Sequence, residues 1–589
     1  MNNFIHPAIF FIFGALFIPL IPGKFKKIYL LIMPLLAFYT VLTMETGVYA
    51  HFKYLEFDII LGRVDSLSIV FAHVFTLMSI IGVLFGLHVD EDAQHIASYF
   101  YVGGSLGVVF AGDYLTVFIF WEMMALASTF LIWFRREPAS LKAGQRYLLM
   151  HIFGGLLLLG GIFLHYKSSG SIAFEKLLPD NAGVAEYLIL AGFALNAAVF
   201  PLHAWLPDAY PEATVTGAVF MCAFTTKTAV YVLARAFPGF EVLAIMGTVM
   251  TIYGVCYATI ENDMRRILAY HIISQVGYMV AGVGIGTELA LNGACAHAYA
   301  HILYKALLFM GAGSVLMMTG TSKLNKLGGI YKYMPLTMIF YIIGGISISG
   351  FPLFSGFVSK SMIVAAAGEH HRPILMLLLL LASVGTFLSV GLKLAYFAFF
   401  GKDCGIKPKE PPKNMLWAMG ITSFLCFLIG VYPKVLYDLL PYKEAAAEFH
   451  PYNMPHLSET MQLLLFTGLG FFLLLKRLQP EAKINLDFDW FYRNLLNGFM
   501  WFDQKIIQSI DVAWGNVYKS FGIKILMMSV ARFFAWFDKW AIDGVVDNVA
   551  YGTRWIGDKA RRAQTGNLQN YLAMAILIIF VIVGVHWFF

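Results

Sequence analysis

The chain is poor in charge. Asp, Glu, Lys and Arg make up 13% of its 589 residues against 59% hydrophobic ones, about half the charged share of an ordinary soluble domain. Its mean hydropathy is +0.72. No soluble core hides so much apolar surface, and many stretches exceed the roughly 18 uncharged residues needed to cross a bilayer. A string of three or four soluble domains is excluded, and the chain reads as a polytopic all-α membrane protein. Cysteine is scarce as well. Cys222, Cys256, Cys295, Cys404 and Cys426 are scattered, and none forms a Cys-x-x-Cys pair. This excludes iron–sulfur and zinc-ribbon sites and leaves small apolar residues. A dinucleotide fingerprint is missing too, because Gly282-Val-Gly284-Ile-Gly286 lacks the third glycine spacing and ends a membrane helix. The sequence thus predicts no cofactor, no resident metal and no redox or hydrolytic chemistry of its own. The net charge of +6 is small and lies in loops, so nucleic acid is not an expected partner.

Apolar windows predict about sixteen spans, near 7–21, 28–48, 66–88, 96–113, 114–134, 146–166, 184–204, 213–236, 241–260, 266–285, 289–317, 335–367, 374–400, 415–435, 459–477 and 571–588. The first lacks a basic n-region and an Ala-x-Ala site, so it reads as a span and not as a signal peptide. With the N-terminus outside, alternate loops collect the basic residues. Arg135, Arg136, Lys142 and Arg146 share one loop, Lys323, Lys326 and Lys332 another, and Lys402, Lys407, Lys409 and Lys413 a third, whereas the opposite loops hold only scattered cations such as Lys53, Lys167 and Arg372. This positive-inside bias persists through fifteen spans. The implied location is the cell's inner (plasma) membrane.

Residues 484–565 mix Trp, Phe and Tyr with charges, as in Trp501-Phe-Asp503 and Phe533-Phe-Ala-Trp536. No window there reads as apolar enough to span, which suits a helix lying along the headgroup layer before a last anchor at 566–589. A faint repeat runs through the core. Phe200-Pro201-Leu202 is echoed by Phe351-Pro352-Leu353, and Lys227-Thr-Ala-Val-Tyr231 by Lys393-Leu-Ala-Tyr396. Pro201 and Pro352 each remove a backbone donor and are expected to break their helices. Broken helices in corresponding halves point to an inverted-repeat transporter.

The chemistry lies in ionisable residues inside spans. Each costs at least about 2.5–3.5 kcal/mol on an insertion scale, so each must be paired, hydrated or functional. They are Glu122, Lys227, Lys305, Lys360 and Lys393, with His151, His297 and His301. His297, His301 and Lys305 fall at i, i+4 and i+8, a stripe about 12 Å long. Two histidines at i and i+4 could also hold a metal, but no third ligand of metal type stands nearby in sequence. Hydrogen-bonded structural histidines and a proton relay both remain open. Glu122 admits a structural ion pair or a carrier role. An alternating set of acid, lysine and histidine, linked by water, can pass protons without covalent chemistry.

Several stretches resemble the antiporter-like subunits shared by Mrp-type cation/proton antiporters and respiratory complex I. They are Arg63-Val-Asp-Ser-Leu-Ser68, Phe120-Trp-Glu122-Met-Met, Phe200-Pro-Leu-His-Ala-Trp-Leu-Pro-Asp-Ala209, Asn262-Asp-Met-Arg-Arg-Ile-Leu-Ala-Tyr270, His297 to Leu308, Lys326-Leu-Gly-Gly329 and Gly350-Phe-Pro-Leu-Phe-Ser-Gly-Phe357. The resemblance is strongest over 60–400 and looks closest to the D-type chains of Mrp antiporters, while the tail is similar to that of the complex I L subunit. It implies about fourteen core helices with two inverted five-helix repeats, 96–236 and 241–400, and broken seventh and twelfth spans. These would be flanked by N-terminal helices (1–95), C-terminal core helices (401–483) and the interfacial and anchoring segments. It further implies that Glu122, Lys227 and Lys360 are the fifth-, eighth- and twelfth-helix carriers, joined by His297, His301 and Lys305.

Two positions depart from the family pattern. Asn196 stands where a lysine usually faces the glutamate, and an amide carries no proton at neutral pH. Either Lys227 or His151 partners Glu122, or this half no longer pumps. Gln275 follows Ser274 where the family has histidine, although His271 lies one turn earlier. The expected function is a proton-translocating subunit of a multi-subunit sodium (or other monovalent cation)/proton antiporter, with other membrane subunits, protons, a cation and lipid as partners. A redox-driven pump module of complex I or hydrogenase type, and a non-pumping scaffold, are the rivals.

Overall fold

The computed structural model describes residues 4–481 and 486–588, and the chain divides into two compact units, Met1–Asp489 and Trp490–Phe589. The boundary expected between 483 and 484 lies outside the described residues. The first unit begins with α1 (Ala8–Phe17), α2 (Gly23–Leu42) and α3 (Ser66–Gly86). Between α2 and α3 an antiparallel hairpin, β1 (Gly47–Tyr54) and β2 (Phe57–Val64), pairs Gly47 with Val64 and Tyr54 with Phe57. The span pattern does not announce this hairpin, and the second span ends at Leu42 instead of near 48. Asp65 stops the strand and starts α3: its carboxylate accepts from Ser68 N and, in turn, the Ser68 hydroxyl accepts from Asp65 N.

The next ten spans form two similar halves. The first holds α4 (Asp92–Phe110), α5 (Tyr114–Trp133), α6 (Pro138–Ser169), the broken pair α7 (Val184–Asn196) and α8 (Trp205–Ala209), and α9 (Val215–Ala223) with α10 (Thr225–Ala236). The second holds α11 (Glu241–Ile260), α12 (Met264–Ile285), α13 (Glu288–Thr319), the broken pair α14 (Pro335–Ile348) and α15 (Ser355–Glu369), and α16 (Pro373–Phe400). Backbone bonding marks the correspondence. Asp113 caps α5 and bridges to Ala173, with Tyr114 N donating to Ile172 O; Asp263 caps α12 and bridges to Lys323, with Met264 N donating to Ser322 O. Each break also holds a non-glycine residue at positive φ, Ala198 at 55° and Leu353 at 74°.

Residues 213–236, expected as one helix, are interrupted at Phe224, whose φ of −101° and ψ of −66° end α9. No proline announces this. The diverted donor is Thr225 N, which gives its hydrogen to the Tyr101 hydroxyl at 2.9 Å instead of to the helix ladder. The unit closes with α17 (Lys413–Val431), the short α18 (Lys434–Tyr437) and α19 (Lys443–Glu448), and α20 (Met454–Leu473). From the last residue of the first unit onward, α21 (Asp489–Phe502), α22 (Gln508–Val517), α23 (Met528–Phe537) and α24 (Gly544–Ala563) follow one another through π-helical turns, and α25 (Leu568–Phe588) comes last. Among the described residues twelve helices are long and apolar enough to cross a membrane. They include the run within 493–562, where an 18-residue window reaches a mean hydropathy of 1.4. The expectation that no window there is apolar enough is therefore corrected: Ile, Leu, Met and Phe between the spaced charges suffice.

Glycines set the closest helix pair. On α11, Gly247 and Gly254 face Gly277 and the backbone around Ser274 on α12, and Gly284 faces Ala244. In lipid, where apolar side chains gain nothing by meeting, such close approach supplies the packing energy. A Cβ on Gly284 would sit 2.0 Å from the Ala244 backbone nitrogen, with no flexible side chain to yield. Gly284→Ala is therefore expected to destabilise by at least about 1–3 kcal/mol, the usual cost of overpacking. The check is the melting temperature and membrane yield of the purified protein, with no loss expected for alanine at Gly160, which has open space around it.

Candidate proton path

The break at Phe224 creates the first site. It turns the Cys222 carbonyl toward Lys227, whose Nζ donates to it at 2.6 Å and to Thr226 Oγ1 at 3.0 Å. Lys227 is fully buried, as is Lys305 in the middle of α13. The two lie within electrostatic range of each other. Lys305 Nζ and both ring nitrogens of His301 have no hydrogen-bond partner among the described residues. Buried polar atoms are tolerated in that condition only where water reaches them or where they change protonation as part of function.

The path continues along α13. His297 Nδ1 meets Ser359 Oγ on α15 at 3.1 Å, and its Nε2 meets Gln275 Oε1 on α12 at 3.2 Å. The Tyr304 hydroxyl donates to the same Gln275 oxygen at 3.3 Å. Ser359 adjoins Lys360, whose Nζ donates to Ile348 O at 2.9 Å and stands 5.2 Å over the Tyr278 ring. Ile348 ends α14, so the acceptor is a carbonyl released by the break at Pro352. The breaks at Phe224 and Pro352 thus do one job, which is to turn a backbone carbonyl toward a buried ammonium group. Gln275, which the sequence marks only as a departure, bridges His297 and Tyr304. His271 lies against α16 instead, its Nε2 2.7 Å from Ser389 Oγ.

Not every expected residue joins this file. Lys393 lies in a π-helical stretch of α16 and donates to the carbonyls of Thr259 and Glu261, both at 2.7 Å, capping the end of α11. Glu122 is half-buried on α5 and lies against α6: a methyl on Gly155 would fall 2.0 Å from its Oε1. His151, one turn earlier on α6, is buried between Tyr147 (4.1 Å between ring centres) and Trp205 (4.7 Å) and lies beside Asn196. The Trp205 indole donates to Leu195 O at 3.0 Å, near the end of α7. Among the described residues no group of three or more His, Cys, Asp or Glu is close enough to hold a metal.

One buried carboxylate escapes the sequence reading. Asp487, expected at the start of the interfacial stretch, is buried in the first unit. It accepts hydrogen bonds from the hydroxyls of Tyr253 and Tyr270, the latter at 2.6 Å, and lies 3.4 Å from His203 Nε2 in the seventh-span break. Its only sequence signal is an acid among aromatics. Burial works to raise its pKa, but the nearby His203 and the hydrogen bonds from Tyr253 and Tyr270 outweigh burial and hold it at about 2, from an ordinary 3.8. A depressed carboxyl pKa contributes stability above the unfolded value and loses it as pH falls through the folded one. Asp487→Asn should therefore flatten the loss of thermal stability that the wild type shows between about pH 4 and pH 2, measured by melting curves across that window.

The fold and the buried file define a multi-pass, antiporter-like membrane protein. Residues 111–389 match the family described as "NADH:quinone oxidoreductase/Mrp antiporter, TM". The D-type chain of the Na(+)/H(+) antiporter of Alkalihalophilus pseudofirmus is 33% identical over 352 residues, covering 56% of this chain and 71% of that one. The A-type chain of the Na(+)/H(+) antiporter of the same organism is 28% identical over 585 residues, 89% of this chain and 67% of that one. The chain belongs to the NADH:quinone oxidoreductase/Mrp antiporter membrane family. Three solved structures share the fold. A chain of an archaeal membrane-bound sulfane sulfur reductase has a TM-score of 0.68 at 24% identity, covering 77% of this chain and 99% of its own. A chain of the Mrp complex from Dietzia sp. scores 0.65 at 20%, covering 78% and 98%. One of respiratory complex I from Thermus thermophilus scores 0.62 at 23%, covering 74% and 98%.

Proposed function

We propose that the chain is the proton-conducting component of a multi-subunit Mrp-type antiporter in the cell's inner membrane, exchanging protons for sodium or another monovalent cation. The observation that carries this reading is the buried file Lys227, Lys305, His301, His297 and Lys360. Breaks and polar side chains hold these titratable groups where, among the described residues, no ion pair neutralises them. A buried lysine is pushed toward its neutral form by desolvation and toward its charged form by any anion that approaches. A change of charge at one end therefore shifts the next proton affinity along the file. Glu122, half-buried in the first half, is the acid that starts it, with His151 or Lys227 standing in for the missing lysine at Asn196. The bias of the basic loops supports an N-terminus on the outside.

A second reading, a pump module driven by a redox partner, is favoured by the likeness to chains of two respiratory complexes. Inside-out vesicles carrying the whole native complex, loaded with a pH-sensitive dye, separate the two. The antiport reading expects a pH change on adding sodium or potassium. A change produced only by an electron donor, and indifferent to either cation, would replace it with the redox reading.

A further inference from the structure

One buried charge has no part in the file. Arg235 stands at i+8 from Lys227 on α10, roughly 12 Å along the helix, with Tyr231 between them at i+4. Arg235 is 6% exposed and Tyr231 0%. The guanidinium is gripped at every nitrogen. Its Nη1 and Nη2 each donate to a carboxylate oxygen of Asp65 at 2.8 Å, and its Nε donates to the Tyr231 hydroxyl at 2.8 Å. Its central carbon stands 5.1 Å over the Tyr231 ring and 6.0 Å over that of Phe174. Asp65 caps α3, and the Tyr231 hydroxyl donates to the Val109 carbonyl near the end of α4. By the basic-loop bias, the membrane face on which these helix ends meet is the outer one.

Two features of this cluster stop a positive charge. The first is permanent, because arginine keeps its proton at every physiological pH. Arg63 approaches the same carboxylate, with Nε 3.4 Å from Asp65 Oδ2 and Nη1 donating to Phe174 O at 2.7 Å. Two guanidinium groups thus share one carboxylate, which leaves a net positive charge at the end of the helix. A fixed positive charge in a narrow, poorly hydrated position repels hydronium and metal cations alike. The second feature is the orientation of Tyr231. Its single proton is committed to Val109 O and Arg235 fills an acceptor position, so the hydroxyl neither donates toward Lys227 nor carries a proton past it. The corresponding helix of the second half, α16, contains no arginine.

We infer that Arg235, held by Asp65 and Tyr231, is a fixed positive barrier that closes the outer side of Lys227, so that neither protons nor sodium pass between the buried file and the outer face through the first half. This rests on the antiport reading and deepens it, since an exchanger loses its coupling if either ion leaks. Arg235 passes no proton and touches no transported ion. It acts by position and charge.

The test is proton leak in vesicles carrying the whole complex, followed with a pH-sensitive dye after a pH jump, without sodium and with valinomycin and equal potassium on both sides. Arg235→Gln should raise the leak several-fold over wild type. Asp65→Asn breaks the same ion pair but keeps the positive charge, so it should lower the melting temperature without raising the leak. A merely structural pair predicts equal leak in the two. The double variant Asp65→Asn/Arg235→Gln leaves no buried charge of this pair unpaired, and it carries the test where Arg235→Gln fails to assemble. Its leak should match that of Arg235→Gln and vanish on adding Lys227→Met, since it runs through the file. Wild-type leak in the double variant, equal leak in Asp65→Asn, or leak that survives Lys227→Met would overturn the barrier. A sodium pulse to wild-type vesicles judges the antiport reading separately: no pH change there sinks that reading whatever the leak, whereas a normal response with no leak in the double variant sinks the barrier alone.

Discussion

Replacing Lys305 with methionine is expected to stop cation-driven proton movement, lowering its rate by at least about 100-fold, the lower range for losing a positioned proton-transfer group, while the complex still assembles. Methionine keeps most of the volume and removes the titratable end. Lys305 is the lysine of the file whose ammonium has no partner among the described residues, so removing it breaks no hydrogen bond there and leaves no other group orphaned. Stability should rise or stay level, because burying a lysine without a counter-charge costs free energy. A structural lysine would behave in the opposite way, with transport retained in whatever protein survives. The measurements are the initial rate of dye response in vesicles and the melting temperature of the same preparation.

The second large effect is expected at Glu122. Glu122→Gln keeps shape and hydrogen-bonding capacity but cannot ionise, and should lower coupled transport on the order of 100-fold. The geometry sharpens this. Glu122 Oε1 lies in the space left by the absent side chain of Gly155, so Gly155→Ala should displace the carboxylate and reproduce part of the Glu122→Gln defect without removing the acid. Transport rates in the two variants, compared at matched complex content, decide the point. If Glu122→Gln transports normally, the carboxylate is a packing feature and the first half of the chain conducts nothing.

Much of this is legible in the sequence, and the reasons are physical. Charges inside apolar runs are so costly that Glu122, Lys227, Lys305 and Lys360 identify themselves, and i, i+4, i+8 spacing puts His297, His301 and Lys305 on one face. Pro201 and Pro352 announce two breaks because proline lacks a donor. The break at Phe224 stays hidden because its cause is a tertiary hydrogen bond from Thr225 N to Tyr101, which no local pattern encodes. Gln275 looks like a loss of chemistry, and only the packing of α12 against α13 shows it bridging His297 and Tyr304. Lys393 matches a repeat in sequence but caps α11, since a sequence echo fixes order along the chain and not the direction of a side chain. Asp487 escapes notice because the tyrosines that hold it lie more than 200 residues upstream.

The most direct test of the central claim is a sodium pulse to inside-out vesicles carrying the complete complex, with wild type and Lys227→Ala compared at equal protein. A prompt pH change in the wild type that disappears in Lys227→Ala is the predicted result, because Lys227 is the first lysine of the file and its ammonium is held by Cys222 O and Thr226 Oγ1, neither of which carries charge. An undiminished pH change in Lys227→Ala would contradict it, and would leave the buried lysines as parts of a scaffold through which no proton passes.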